Sequence, residues 1–515
     1  MGVKDPIIRL FSVFVFIFLT VVGLIFSIFL LYAAKSTYMW ALAFSFMILT
    51  IVSGMFNIIT SYWYYKSYLY EGYFEWVKKN TKPLTVFPSV AIAMPVYNED
   101  PALVEKNMLR IKDIEYPADK LAYYLLDDSS DEGIRNELEA FSRKHGITYL
   151  HRTERTGFKA GALNNMLKTS KEEFLAIFDY DEYVTDTTFL KALLPFFGDK
   201  RLSFVQTKKQ YSEGSFFSNT VNLFDAFFFK FIQPARALNN TAIFAGSCGI
   251  IRSSHLKKIG GFPEYIIEDT FFSFESDMHG YKSLYVPQVF ALGEPLKTFS
   301  ALVKQQWRYN YGDTQFLVYI FRKFKRNANA KTPSPLSSID YMTHGFGLNY
   351  VSIMLLLFTV LSIFIVFSQF PISDVSFGSL FRGNYVNLDL EILGFTAFSI
   401  SIIAPVILTK MHFGSVRKGI MIFLLNFALA FMRTKAAIHA LFLGNKKVVW
   451  ERDTNSRYGQ FLFALRNSIT EIIFSAVLIV LGIFAVVINN ISGALWLMWY
   501  GLLYISTFYM FYKYG

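Results

Sequence analysis

Two carboxylates, Asp179 and Asp181, close the apolar run of LAIFDYDEYV, and this D-x-D spacing is the first place where chemistry can be written for the chain. Side chains two apart on a strand point the same way, so the pair is expected on one face at the strand's carboxyl end. Ligands of open α/β sheets collect there. Oxygen donors side by side suit a hard divalent cation of the Mg or Mn type, which would in turn hold a diphosphate. A D-x-D alone is only three positions long, and by itself it reads as an acidic strand-to-turn junction.

Other residues give the pair company. In LLDDSSDEG, Asp127 and Asp128 follow a second apolar strand, where a side-chain oxygen can accept from a nucleobase or ribose; alone they mark a turn. In RTGFKAGALNNML, Gly157 and Gly161 let the backbone approach a ligand closely, and Lys159 offers a point charge to phosphate. The G-x-x-x-x-G-K-[ST] spacing of a Walker loop is absent. Farther on, YIIEDTFFSF places Glu268 and Asp269 at the start of a helical stretch, as a cap or as a base. KQQWRYNYG supplies Gln305, Trp307, Arg308 and Tyr309, which combine a guanidinium fork for phosphate with flat rings that stack on sugar. The plainer reading of that segment is a snorkelling interfacial helix.

The elements that position these residues follow from composition and pattern. Of 515 residues, 53% are hydrophobic and only 17% charged, against about 25% in soluble domains, so membrane segments are expected. One cysteine, Cys248, allows no internal disulfide. The net charge of +11 sits beside apolar stretches, which fits anionic lipid headgroups and not nucleic acid. From about Thr85 to Pro295, short apolar runs alternate with polar helical stretches, the signature of an α/β domain.

Apolar stretches long enough to span, about 20 helical residues each, run near Leu10–Ala33, Trp40–Trp63, Asn349–Phe367, Ile392–Thr409, Ile472–Ile488 and Ala494–Tyr512. The basic residues flanking them put both termini and the α/β region in the cytoplasm. The stretch at 419–443 is too short to span and is expected to be re-entrant or buried against the bundle. In SFFSNTVNLFDAFFFKFI, Phe217, Val221, Phe224, Phe228 and Ile232 share one helical face, expected on the membrane, and FLVYIFRKFKR at 316–326 repeats the mixture of aromatic and basic residues.

AMPVYNE, LLDDSSD, FKAGALN, FDYDEY, FVQT, FAGSCGIIR, IIED and QQWRY, in that order, resemble the motifs of membrane-bound family two glycosyltransferases. The likeness is strongest to the cellulose synthase-like group that includes plant mannan and glucomannan synthases, and continues more weakly through MRTKAAIHALFLGNKKVVWERD. The resemblance implies an α/β GT-A nucleotide-sugar domain at 85–300 inserted between transmembrane helices. Two membrane helices at 1–70 would precede it. Interfacial helices at 301–342 would carry the Q-x-x-R-(W/Y) motif, and a C-terminal bundle at 343–515 would include a gating loop at 444–467.

It further implies that Asp127 or Asp128 contacts the nucleotide base, and that Lys159 and a Mn or Mg ion on Asp179 and Asp181 grip the diphosphate of a UDP- or GDP-hexose. Asp269 would be the general base. Gln305 and Arg308 would complete the nucleotide floor, with Cys248, Glu268, Trp307 and Tyr309 toward the acceptor. The implied activity is inverting hexosyl transfer to a growing β-linked polysaccharide at a plasma or Golgi-type membrane, with the product passing across it. The alternative is single transfer to a lipid acceptor such as a polyprenyl phosphate or glycolipid. Two departures stand out: Tyr309 occupies the tryptophan position of the motif, with Trp307 two residues earlier, and Ile267 stands where threonine is common.

Overall fold

The computed structural model describes residues 4–326, 334–368, 403–443 and 460–515. It divides into two units, one of Met1–Tyr65, Lys297–Tyr311 and Gly347–Gly515, the other of Lys66–Leu296 and Gly312–Phe346.

The second unit is built on β1 (Val90–Val96), β2 (Leu121–Asp127), β3 (Thr148–His151), β4 (Phe174–Ile177), β5 (Glu182–Val184), β6 (Leu202–Thr207), β7 (Gln210–Tyr211), β8 (Gly249–Arg252), β9 (Lys282–Val286) and β10 (Ala291–Gly293). Seven of these form a mixed sheet in the order β3-β2-β1-β4-β8-β6-β9, and β5, β10 and β7 form a small second sheet. The first four strands of the large sheet run parallel, whereas β8 lies antiparallel to both β4 and β6. Buried on both faces, the central strands read as continuous apolar runs. On β1, Val90, Ile92, Met94 and Val96 enter one core with Phe174 and Ala176 of β4. Ala91 and Ala93 enter the other with Leu175 and Ile177. The small alanines on that second face leave room for the helix Phe158–Thr169, which packs Ala160, Ala162, Leu163 and Met166 into the same core.

The helix Phe216–Phe227 corrects one expectation. Phe217 is 1% and Val221 6% exposed, so these two pack on protein and are closed to a membrane, while Phe224, Phe228 and Ile232 are half-buried. A π-helical turn at Phe228–Ile232 follows, which breaks the spacing that placed all five residues on one stripe.

In the first unit the helix Lys4–Ala33 pairs with the helix that starts at Thr37 through small and hydroxyl residues. Asn57 Nδ2 donates to Thr20 Oγ1 at 3.0 Å and Ser27 Oγ to Thr50 Oγ1 at 3.2 Å. A methyl added at Gly23 would meet Thr50 Cγ2 at 2.9 Å, so the two backbones approach closely, as small residues allow between membrane helices. Five described helices are long and apolar enough to cross a membrane: Pro6–Ala33, Thr37–Asn80, Asn349–Phe367, Ile469–Val487 and Gly493–Tyr514. The second continues well past Trp63 because the YYKSYLYEGYFEWVKK that follows carries no helix breaker but Gly72. Of the expected span at 392–409, residues 392–402 lie outside the described residues, and Ile403–Phe413 is a short apolar helix. The 419–443 stretch belongs to two helices, Val416–Ala428 and Ala430–Phe442, bent by 45° about Leu429. That geometry is a broken span or a re-entrant loop.

Candidate active site

β4 ends at Ile177, so Asp179 and Asp181 do not lie on a strand as expected; they sit in the turn that joins β4 to β5. Two bonds close this turn: Asp179 N–H donates to the Glu182 carboxylate at 2.9 Å, and Glu182 N–H donates to the Asp179 carbonyl at 3.0 Å. Burial, and then the charges of Asp179 and Glu182, push the Asp181 carboxyl up to about 7. Burial and like charge both disfavour the ionised carboxyl here, and a cation would offset both.

Lys159 is the second residue of the helix Phe158–Thr169, whose N-cap Gly157 has φ of 70°, a backbone that favours glycine. Its ammonium donates to Asp179 Oδ1 at 2.5 Å and to the Gly246 carbonyl at 3.0 Å. Lys209, just after β6, stands 3.6 Å from Asp179 Oδ2. Burial alone would raise the Asp179 carboxyl, but the charges of Lys159 and Lys209 outweigh it and hold it below the usual carboxylate range. Burial likewise works against the Lys159 ammonium, and the charges of Asp179 and Glu268 reverse that and hold its proton.

Asp269 enters from the helix Glu268–Met278, at its N-terminal turn. A methyl built on Gly246 would lie 3.1 Å from Asp269 Oδ2 and 3.6 Å from Lys159 Nζ, so the base candidate, the lysine and this glycine border one space. Gly246→Ala is therefore expected to lower turnover by about tenfold or more through displacement of these groups. Because φ is +82° there, it should also cost about 1 kcal/mol of stability. Paired kinetics and thermal melts check both.

The FAGSC segment is fixed by buried bonds. Gln206 accepts from Ala245 N–H at 2.7 Å and donates to the Ser247 carbonyl at 3.0 Å, while Ser273 Oγ accepts from Phe244 N–H at 2.7 Å and donates to the Asp269 carbonyl at 2.7 Å. The loop and the helix carrying Asp269 are thereby one rigid piece. Cys248 is 2% exposed and joins the apolar core, and burial pushes its thiol up, so the side chain is a core residue.

The paired aspartates at the end of β2 differ in their partners. Asp127 is fully buried and gives both oxygens to the protein, one to Ser129 N–H at 2.8 Å and one to Tyr149 O–H at 2.6 Å. Asp128 forks with Arg152 at 2.8 and 2.5 Å. The same guanidinium donates to the carbonyls of Thr156 and Phe158 at 2.9 and 3.0 Å, which ties Asp128 to the loop leading into Lys159. Asp128, Lys159, Asp179 and Asp269 are thus connected through short contacts within one unit.

Gln305, Trp307, Arg308 and Tyr309 belong to the other unit, on the helix Phe299–Arg326. Trp307 meets His439 edge-on at 5.5 Å, and the Arg308 guanidinium lies 5.4 Å from the Tyr309 ring centre. The buried neighbour Gln306 accepts from Arg433 at 2.8 and 3.1 Å.

Sequence reasoning missed Glu182, Lys209, Arg152 and Ser273, whereas Gln206 lies in the FVQT motif that it singled out. Glu182 was visible as the third acid of DYDE and Lys209 as the second lysine of VQTKK, but nothing in the spacing tells that a lysine turns inward. For a divalent ion the residues offer Asp179 and Asp181; no group of three or more His, Cys, Asp or Glu suited to a metal occurs among the described residues. That set fits an ion of the Mg or Mn type, which takes one or two carboxylates and completes its shell with phosphate oxygens and water.

Residues 91–260 match the Glycosyl transferase family 2 profile. The chain is 31% identical over 248 residues to a UDP-forming cellulose synthase catalytic subunit of Pseudomonas fluorescens (strain SBW25), covering 47% of this chain and 32% of that protein. It is 29% identical over 278 residues to the probable glucomannan 4-beta-mannosyltransferase 7 of Oryza sativa subsp. japonica, covering 51% and 46%. It thus spans about a third to a half of the length of these relatives. Among solved structures, the mannosyltransferase PcManGT from Pyrobaculum calidifontis, in complex with GDP-Man and Mn2+, aligns with a TM-score of 0.46 at 18% identity, over 75% of this chain and 99% of that one.

Proposed function

We propose that this chain, whose residues 91–260 match the family 2 glycosyltransferases and whose described helices include several long and apolar enough to span a membrane, makes β-linked polysaccharide by inverting transfer of hexose from UDP- or GDP-hexose. The observation that carries the proposal is the convergence of Lys159, Asp179, Gly246 and Asp269 around one space. An acceptor O–H attacks the anomeric carbon, the bond from that carbon to the diphosphate oxygen breaks, and the nucleoside diphosphate leaves with the electron pair. Asp269 takes the hydroxyl proton. Lys159 holds negative charge on the departing diphosphate, which is the electrostatic contribution that usually dominates. A divalent ion on Asp179 and Asp181 would supply further charge neutralisation at the same oxygens. Asp128 or its neighbour Asp127 is the nucleoside contact; Asp127 bonds Ser129 and Tyr149, and Asp128 forks with Arg152 beside the loop that leads to Lys159. A hydrolase needs a second carboxylate at set spacing and has no use for paired lysines on a D-x-D.

On the motif resemblance alone, Arg308 and Gln305 are assigned to the nucleotide, and Glu268, Trp307 and Tyr309 to the acceptor. The catalytic domain is cytosolic, in a plasma or Golgi-type membrane, with the product leaving through the helical bundle. The domain limits follow the same plan: membrane helices at 1–70, the transferase domain at 85–300, the motif-bearing helices at 301–342 and the bundle from 343. The gate would lie at 444–467, of which 444–459 are outside the described residues. Single transfer to a lipid is the second reading, favoured by Tyr309: its ring is smaller than indole and carries a hydroxyl, a weaker platform for retaining a growing chain. Product sizing decides between them. Purified protein with labelled donor, manganese and membrane lipid is expected to give a ladder of oligosaccharides; a single glycolipid would establish the second reading.

A further inference from the structure

Lys209 stands inside the acidic cluster and takes no part in the steps of transfer. Its side chain is only 15% exposed. It donates to Ser247 Oγ at 2.6 Å and pairs with Glu182 Oε1 at 2.9 Å, while Ser247 Oγ donates to the same Glu182 oxygen at 2.7 Å. Its third neighbour is Asp179 Oδ2 at 3.6 Å, and Asp179 Oδ1 is held by Lys159. Each oxygen of the first D-x-D carboxylate therefore faces an ammonium before any donor arrives. A lysine that served Glu182 alone would not need to stand on the D-x-D side of it.

We propose that Lys209 is a resident counter-cation of the D-x-D site: it neutralises Asp179 in the empty enzyme, opposes entry of a divalent ion by itself, and so makes the ion bind together with the nucleotide diphosphate. The physical reason is like-charge repulsion at close range in a poorly solvated pocket. A bare divalent ion must approach Asp179 against two ammoniums. The diphosphate brings its own negative charge and turns that repulsion into attraction, so ion and nucleotide bind cooperatively. This rests on reading Asp179 and Asp181 as the site for ion and diphosphate.

The test titrates Mn2+ into detergent-purified protein, following bound metal by electron paramagnetic resonance, with and without UDP or GDP. In wild type, Mn2+ alone should bind weakly, and the nucleotide should tighten it about a hundredfold. In Lys209→Gln, Mn2+ alone should bind about tenfold tighter, and the gain from nucleotide should shrink accordingly. Lys209→Arg, which keeps the charge, should behave as wild type. If glutamine is not tolerated beside buried Glu182, Lys209→Met keeps the volume of the buried stem and carries the same expectation. Equal or weaker binding of Mn2+ alone in a folded neutral variant overturns the proposal. If wild type transfers sugar while that happens, only the role of Lys209 falls; if no protein binds Mn2+ under any condition, the inference fails together with the metal site on which it rests.

Discussion

Asp269→Asn should abolish sugar transfer, with turnover falling by about a thousandfold or more, while affinity for the nucleotide changes little. A positioned base accounts for about 10^2 to 10^4 in rate, and the acceptor proton has no other destination in the proposed mechanism. Asn is the informative replacement because Asp269 Oδ1 also accepts from Thr270 N–H at 2.8 Å at the start of its helix. The amide oxygen can keep that bond, so the fold should survive. Removing negative charge beside the diphosphate does not weaken nucleotide binding on electrostatic grounds. Calorimetric titration of UDP and GDP alongside single-turnover kinetics separates the two effects. Loss of both together would place Asp269 in binding and leave the base unassigned.

Asp179→Asn should act at the opposite end of the reaction, on the diphosphate. Here the expected loss is about a thousandfold in kcat/KM, with donor affinity and Mn2+ binding both impaired, since the change removes one of two carboxylates available to the ion. It also leaves Lys159 without its ion-pair partner. Lys209 keeps Glu182 and is less affected. The turn itself should persist, because Glu182 is bonded to the backbone N–H of residue 179 and not to its side chain. Lost metal binding in a protein that still folds, with a lowered melting temperature from the unpaired Lys159, is the expected signature. Retained Mn2+ affinity would move the ion elsewhere.

The apolar runs of β1, β2, β4, β6 and β9 were legible because strands buried on both faces need them. The acids at their ends were legible too, since the chain places Asp127 at the end of β2 and Asp179 two residues past the end of β4. The exact setting was not. A strand rule put Asp179 and Asp181 on one face, whereas bonds with Glu182 fold them into a turn. Periodicity identified the Phe217–Val221 face correctly but not its neighbour, because an apolar helical stripe looks the same whether lipid or protein covers it. Inward-facing cations are harder still. Arg152 and Lys209 look like surface residues in sequence, but acid partners more than twenty residues away along the chain help to hold them inside. Between Asp127 and Asp128, adjacent and identical in type, nothing in the sequence tells that one bonds Tyr149 and Ser129 and the other Arg152.

The central claim is that a nucleoside diphosphate leaves from a sugar held between Lys159, Asp179 and Asp269. Purified protein incubated with UDP-glucose, GDP-mannose and related donors in manganese, with nucleotide products separated by chromatography and the new linkage read by NMR, tests it most directly. The account predicts UDP or GDP released in step with β-linked product from an α-linked donor. Release of a nucleoside monophosphate with sugar phosphate, or a product that retains the α configuration, would contradict it.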